Sequence, residues 1–596
     1  MGGLGAVLTA LTKQQQRDGN VDVSVILPFY SLLRHMPLAS SIAHYANLTV
    51  SVYPGKGYGD SWQISQAGIA AVKAAEAARD PYTRAERAMQ EVGFSVSTMP
   101  YWIDSTNSSA VTVYLVGPGD VYPFDQAFHA QSTLDIYGSP GGLPQEWRDL
   151  YFEKAAARLI EHIHTEATSS KQGHQQQQHS NGPSAVAPLS RGVDVVHLHG
   201  ATNAFLAHFL AQRITAGAFD VGGRPGIVYT LHDYSDEVRY LNDASNVDKF
   251  LDYPTVERWQ LNQYRYGSEV FMSPLGINHA DMVTFVSRSL TADLVEGRLE
   301  FYMKEIAMDA ILTKARDARF IGITNGIDLH ARNPFTSPEL AREQLTFPRR
   351  FPQWPPSHAP MEARIADRKQ AAKAYLQRSG LLTKDDLDRP LVLFIGRFQH
   401  NKGLEFFAET AEYLAARNAR FVMMGQKNNY AHYKVVELRD RYPDNVILID
   451  EEQDQKRWGI YLRTAADFAF VPSRTESFGL VAAEGLLFGA AVISTGVGGL
   501  REFLKAKASP AHNAYLFELD TAHTSASLRR ALGDALKDHH RLRQDPAAYE
   551  HFLEGLVGSS VALGWDQKGG PVSAYNHVYA KAVERARKIP RGGLWR

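Results

Sequence analysis

The chain contains no cysteine in 596 residues. That excludes disulfides, thiolate metal sites and a cysteine nucleophile, and it suits a reducing, cytoplasmic compartment. Charge of one sign is not in excess either, with 63 Lys and Arg against 64 Asp and Glu. A near-neutral chain has no general attraction for nucleic acid or an anionic membrane, so neither is expected as a partner, although local basic sites remain open. Long apolar runs are missing too: none approaches the ~18–20 residues of a membrane-spanning helix. The start, Met1 to Leu8, lacks the basic-then-apolar layout of a secretory signal. The triplets Asn47-Leu48-Thr49 and Asn107-Ser108-Ser109 are therefore read as chance matches to the glycosylation acceptor.

What is present is an ordinary globular composition, 44% hydrophobic and 21% charged, in a chain longer than one core usually supports. Two large domains are expected. Val21–Pro28, Ala110–Val116 and Val193–Leu198 read as buried strands, and Trp147–His164 and Asn203–Ile214 as helices, so the first half predicts a parallel sheet covered on both faces. Thr165 to Arg191 contains KQGHQQQQHS and NGPS, a low-complexity tract read as a flexible surface insertion rather than a histidine metal site. Residues 335–390, rich in Pro and Arg (FPRRFPQWPPSHAP), are read as the interdomain link. A second strand–helix series follows, with strands at Pro390–Gly396, Phe421–Gly425, Val446–Asp450 and Phe468–Pro472.

In open α/β sheets ligands bind beyond the carboxyl ends of strands, so polar residues just after apolar runs are informative. Gly396-Arg397-Phe398-Gln399-His400-Asn401-Lys402-Gly403 follows a strand and is expected to open a helix, and two cations there suit a diphosphate as well as a solvated turn. In Pro472-Ser-Arg-Thr-Glu476-Ser477-Phe478-Gly479-Leu480, Glu476 lies in a post-strand loop. Glu484 is expected on the next helix near its start, where it could also merely complement the dipole. Gly2-Gly3-Leu4-Gly5 is expected as a loop ahead of a helix running to about Asp18, its glycines letting an anion approach. His232 and Asp233 emerge from the strand Gly226-Ile-Val-Tyr-Thr-Leu, where a lone histidine is more often structural.

In order along the chain, GGLGAVLTALTKQQQ, VYLVGPGDVYPF, DIYG, VVHLHG, VYTLHD, NHADMVTFVSRSL, GITNGIDLHARNP, IGRFQHNKG, VPSRTESFGL, TGVGGL and a closing Trp565 with Tyr575 and Tyr579 resemble the starch and glycogen synthase family of glycosyltransferases, in a divergent, fungal-type form. The resemblance implies the α/β class and the GT-B fold: two Rossmann-like doubly wound domains facing a cleft. It places the N-terminal domain at 1–340 with the insertion 165–191, the nucleotide-sugar domain at 385–560, and a final helix, 561–596, crossing back to the first domain. It implies retaining transfer of glucose from ADP-glucose or UDP-glucose to an α-glucan or other carbohydrate acceptor, with no metal or other cofactor. Catalytic roles fall to Glu476, His232, Arg397 and Lys402. Donor contacts fall to Gly2, Gly3, Gly5, Gly396, Arg397, Lys402, Glu476, Phe478, Gly479, Leu480 and Glu484.

Three departures stand beside the resemblance. The family's Lys two residues before the GGLG glycines and its first strand have no counterpart, which makes an N-terminal truncation the expectation. His199-Gly200-Ala201-Thr202 lacks the usual Asp and aromatic residues that shape the acceptor site. Ser477-Phe478 with Glu484 follows the broader class with paired glutamates. Transfer to a small acceptor, or an inactive glucan-binding or regulatory relative, are the alternative functions.

Overall fold

The computed structural model describes residues 3–588 except 54–69, 71–73, 75–88, 104–108, 133–134, 174–191, 221–222, 235–237, 239, 302–303, 361 and 521. Gly2 and Asn107 lie outside the described residues. By packing, the chain divides into two compact units. One comprises Leu11–Val286, Thr291–Ile323 and Val572–Arg596; the other comprises Met1–Ala10, Ser287–Leu290 and Thr324–Pro571.

In the first unit, β1 (Ser24–Pro28), β2 (Ala43–Val52), β3 (Gln90–Trp102) and β4 (Ala110–Gly119) form a sheet ordered β1-β4-β3-β2. β1 runs parallel to β4, from Ser24 opposite Thr112 to Pro28 opposite Val116, while β2–β3 and β3–β4 are antiparallel. A second sheet, β11-β10-β6-β5, is parallel throughout and consists of β5 (Val195–His199), β6 (Gly226–Leu231), β10 (Met282–Phe285) and β11 (Phe320–Gly322). The short strands β7 (Leu241–Asp243), β8 (Arg265–Tyr266) and β9 (Glu269–Phe271) make a small antiparallel sheet.

The expectation of a purely parallel sheet is thus corrected. In β3, Val92, Phe94 and Val96 are buried at alternate positions, the period-two pattern of a strand with one covered face. In contrast, β6 is buried at every position, as a strand covered on both faces must be.

The helix predicted at Trp147–His164 extends from Gln145 to Gly173, into the tract expected to be flexible. Ala167 and Thr168 continue its buried face, and the Thr168 hydroxyl donates to the His164 carbonyl. Residues 174–191 of the tract lie outside the described residues. The last helix, Pro571–Lys588, belongs to this same unit. It buries Tyr575, Val578, Ala582 and Ala586, one helical face, and Ala582 leaves no room for a side chain at Gly226.

The second unit is built on six parallel strands: β12 (Leu391–Ile395), β13 (Arg420–Met424), β14 (Val446–Ile449), β15 (Phe468–Val471), β16 (Ala491–Ser494) and β17 (Ala514–Leu516). Their order is β14-β13-β12-β15-β16-β17, so the sheet reverses direction of growth between β12 and β15. In a doubly wound sheet such a reversal opens a crevice at the carboxyl ends of the two strands. The Pro-rich stretch 335–390, read as a link, is instead part of this unit. Phe335, Leu340, Phe347, Trp354 and Ile365 are each at most 2% exposed within its core. Proline there makes the backbone irregular without exposing it, because the aromatic residues between the prolines still bury large apolar areas.

Candidate active site

The loop after β12 and the loop after β15 meet at that reversal point. At Gly425, ending β13, a Cβ would lie 1.9 Å from the Gly396 carbonyl oxygen, so the ends of β12 and β13 are in direct backbone contact. Phe398 is fully buried and holds the loop down, leaving Arg397 exposed. The expected helix does not open at once: a 3-10 turn at His400–Lys402 and a second at Leu404–Phe406 precede the α-helix Phe407–Ala415. Between the turns Gly403 adopts φ +70°, and a Cβ on it would sit 1.9 Å from the Pro472 carbonyl oxygen. The Arg474 amide donates to the Asn401 carbonyl across the same junction at 2.9 Å.

The result is that Lys402 Nζ donates to Glu476 Oε2 at 2.6 Å. Both side chains keep some exposure, 24% and 17%. Two residues predicted from separate motifs are thus one ion pair, with Arg397 on the rim of the same loop. A cation and a carboxylate held this way can bind an anionic group and a polyhydroxyl group side by side.

Gly479, with φ +98°, starts the helix Leu480–Leu487, and Phe478 is buried beneath it. Glu484 lies mid-helix and forms an ion pair with Arg463 of the helix Glu452–Ala465 at 3.2 Å, rather than serving the helix start. Burial lowers the pKa of that guanidinium from its usual value.

A third loop, which follows β16, was not among the predicted site residues. The Gly499 amide donates to the Glu476 carbonyl at 2.9 Å. A Cβ at Gly498 would lie 2.1 Å from the Glu476 carbonyl oxygen, and one at Gly499 2.1 Å from that of Ser477. The signal for this loop was the three glycines of Thr495-Gly-Val-Gly-Gly-Leu500 directly after an apolar strand.

The N-terminal helix begins at Gly3, so Gly3 and Gly5 form its first turn and not a loop ahead of it. His232, immediately after β6, is one of three histidines. His199 Nδ1 and His232 Nε2 share a hydrogen bond at 3.1 Å, and the rings of His197 and His199 lie 3.9 Å apart. Residues i and i+2 of a strand share a face, which is why His197-Leu-His199 stacks its rings. His197 also bonds to Thr230 Oγ1 at 2.6 Å and to the Tyr579 hydroxyl at 2.8 Å, and Gln15 donates to that hydroxyl.

Burial lowers the pKa of His197 to about 3, of His232 to about 4, and of His199 well below its usual value. The cluster is neutral at physiological pH. As pH falls below about 6.5 the unfolded chain takes up protons that the folded cluster refuses, so stability declines towards pH 4. Each histidine contributes up to about 1.4 kcal/mol per pH unit. Urea unfolding at pH 7, 6 and 5 should show this decline, and His197→Asn should make it shallower, by about 1.4 kcal/mol per pH unit at most. Equal slopes in both proteins would refute the coupling.

Residues 76–312 match the family described as "Starch synthase catalytic domain", and residues 383–551 match "Glycosyl transferases group 1". A glycogen synthase of Paracidovorax citrulli is 26% identical over 410 residues, which are 68% of this chain and 72% of that protein. The catalytic domain of starch synthase IV from Arabidopsis thaliana, solved bound to ADP and acarbose, superposes with a TM-score of 0.66 at 19% identity, covering 98% of this chain and 97% of that one. Along these stretches the chain is similar to the starch and glycogen synthases, a family of glycosyltransferases.

The structural likeness establishes the GT-B fold expected from the motifs. Against a second glycogen synthase of the family, from Thermodesulfovibrio yellowstonii, identity is 25% over 283 residues, and the chain spans about half of that protein's length (51%). The starch synthase match contains His197, His199 and His232; the group 1 match contains Arg397, Lys402, Glu476 and Glu484. No helix among the described residues is long and apolar enough to cross a membrane.

Proposed function

We propose that this chain moves glucose, with retention, from ADP-glucose or UDP-glucose to the non-reducing end of an α-glucan. The observation that carries the reading is the Lys402–Glu476 pair at the strand-order reversal, with Arg397 on the same loop. Relatives named glycogen synthase or starch synthase, and a structural neighbour solved with ADP and acarbose, support it.

In this reading the bond between glucose C1 and the diphosphate oxygen breaks, and a bond from C1 to the acceptor hydroxyl oxygen forms on the same face. The acceptor proton passes to the departing diphosphate. Arg397 and Lys402 stabilise the negative charge that grows on that diphosphate, the largest electrostatic task of the step. Glu476 accepts hydrogen bonds from glucose hydroxyls.

The test is nucleotide release from ADP-glucose and from UDP-glucose, with glycogen, with free glucose and without acceptor. Glycogen-dependent release and lengthened outer chains are expected with one of the two donors. Release dependent on free glucose alone, or none from folded protein with either donor, would overturn the proposal.

A further inference from the structure

The Glu502 carboxylate is the far anchor of the loop that supports Glu476. Its Oε1 accepts hydrogen bonds from the Ser287 hydroxyl, the Ser289 amide at 2.9 Å and the Ser289 hydroxyl at 2.8 Å, and its Oε2 accepts one from the Thr324 hydroxyl. All of these residues belong to the second unit. The same serine turn also holds the loop through Arg501, which donates to the Ser289 carbonyl at 3.3 Å, and the one Ser289 hydroxyl proton is shared between Glu502 Oε1 and the Gly498 carbonyl, 3.2 Å away. Burial pushes the Glu502 carboxyl up, but hydrogen bonds from Ser287, Thr324 and Ser289 outweigh it and hold the group below the usual carboxylate range. It is therefore ionised at neutral pH, an acceptor facing four donors.

The 3-10 turn Gly498–Glu502 joins this anchor to the two glycines that lie against Glu476. Neither glycine has room to slide: each would-be Cβ is 2.1 Å from a carbonyl oxygen of the Glu476-Ser477 segment. A loop clamped at one end by four hydrogen bonds and fitted at the other against a backbone fixes the position of that backbone.

We propose that Glu502 is a positioning residue for Glu476: it holds the Gly498-Gly499 turn so that the Gly499 amide fixes the Glu476 peptide, and with it the carboxylate that receives the donor sugar. The inference rests on the proposed function for its kinetic consequence but not for its structural one.

The geometry distinguishes two substitutions. In E502Q the amide oxygen can stand at the Oε1 position and keep the Ser287 and Ser289 donors, while its NH2 donates to the Thr324 hydroxyl, which can accept. In E502A all four bonds are lost. Expected for E502A is a fall in kcat of tenfold or more with the KM for glycogen little changed, and faster hydrogen–deuterium exchange in the peptide carrying Gly499. E502Q should restore both readouts to near the parent values. Should E502A fail to fold, Thr324→Val, which removes one donor, should show the same two changes more weakly.

Normal kcat in E502A despite faster Gly499 exchange would overturn the proposal, as would lost activity with unchanged exchange. So would an E502Q as impaired as E502A, since that would mean charge and not anchoring is at work. Absence of transfer in the parent enzyme would instead defeat the proposed function, and the exchange measurement would still decide whether Glu502 anchors the loop.

Discussion

Glu476→Gln is expected to lower kcat by two orders of magnitude or more while leaving the unfolding midpoint within a degree or two of the parent. Its carboxylate accepts from Lys402 at the reversal point, at 2.6 Å, and it is neither fully buried nor part of the hydrophobic core. Losing one charged contact that strengthens as charge redistributes in the reaction costs on the order of a hundredfold to a thousandfold. Lys402→Ala should act on the same step, through the other half of the pair. The two losses should not add, because each single change already breaks the pair. Initial-rate kinetics on E476Q, K402A and the double variant check this. A double variant whose loss equals the product of the single losses would show that the residues act separately, and full activity in E476Q would remove Glu476 from the site.

Gly403→Ala is expected to have the largest effect on folding. The residue combines φ +70° with a Cβ position 1.9 Å from the Pro472 carbonyl oxygen, so an alanine meets both a disfavoured backbone conformation and a backbone atom that cannot rotate away. The left-handed conformation alone costs about 1–2 kcal/mol, and the clash adds to it, for a total of about 3 kcal/mol or more. Because Gly403 connects the Lys402 turn to the loop that carries Glu476, lost stability and lost transfer should appear together. Gly380, with φ +84° and nothing within 4 Å of its would-be Cβ, is the control: G380A carries the backbone strain without the clash. Urea denaturation of both variants separates the two terms. A G403A protein no less stable than G380A would show that the loops separate freely.

Much of the candidate site was legible in the sequence because it sits at strand ends. Apolar runs such as Leu391–Ile395 and Phe468–Val471 mark fully buried parallel strands, and in such sheets the residues just beyond them line the ligand crevice. Arg397, Lys402 and Glu476 were found by that rule. Glu484 was placed on the right helix, but its partner Arg463, 21 residues earlier, had no local signature. Gly3 and Gly5 were read as a loop because glycines let an anion approach a helix start; the helix begins at Gly3 and buries Val7, Ala10 and Leu11 on one face, and that tertiary burial outweighs a local propensity cost of about 1 kcal/mol per glycine. The stretch 335–390 looked like a linker because composition reports backbone irregularity, whereas burial of Phe335, Phe347 and Trp354 depends on what lies across from them.

By itself, then, the sequence determined the class of the fold, the strand–helix alternation of the second unit, and two of the strand-end loops that make up the candidate site, because periodicity and strand-end position are local properties. Only the tertiary structure decided which of those loops touch. That Lys402 meets Glu476, that Gly498 and Gly499 lie against the Glu476 backbone, that Glu502 clamps their far end, and that His232 is one of three mutually neutral histidines are all consequences of close approaches between segments distant in sequence. Such approaches are set by packing of the whole core, to which every buried side chain contributes and which no single segment encodes.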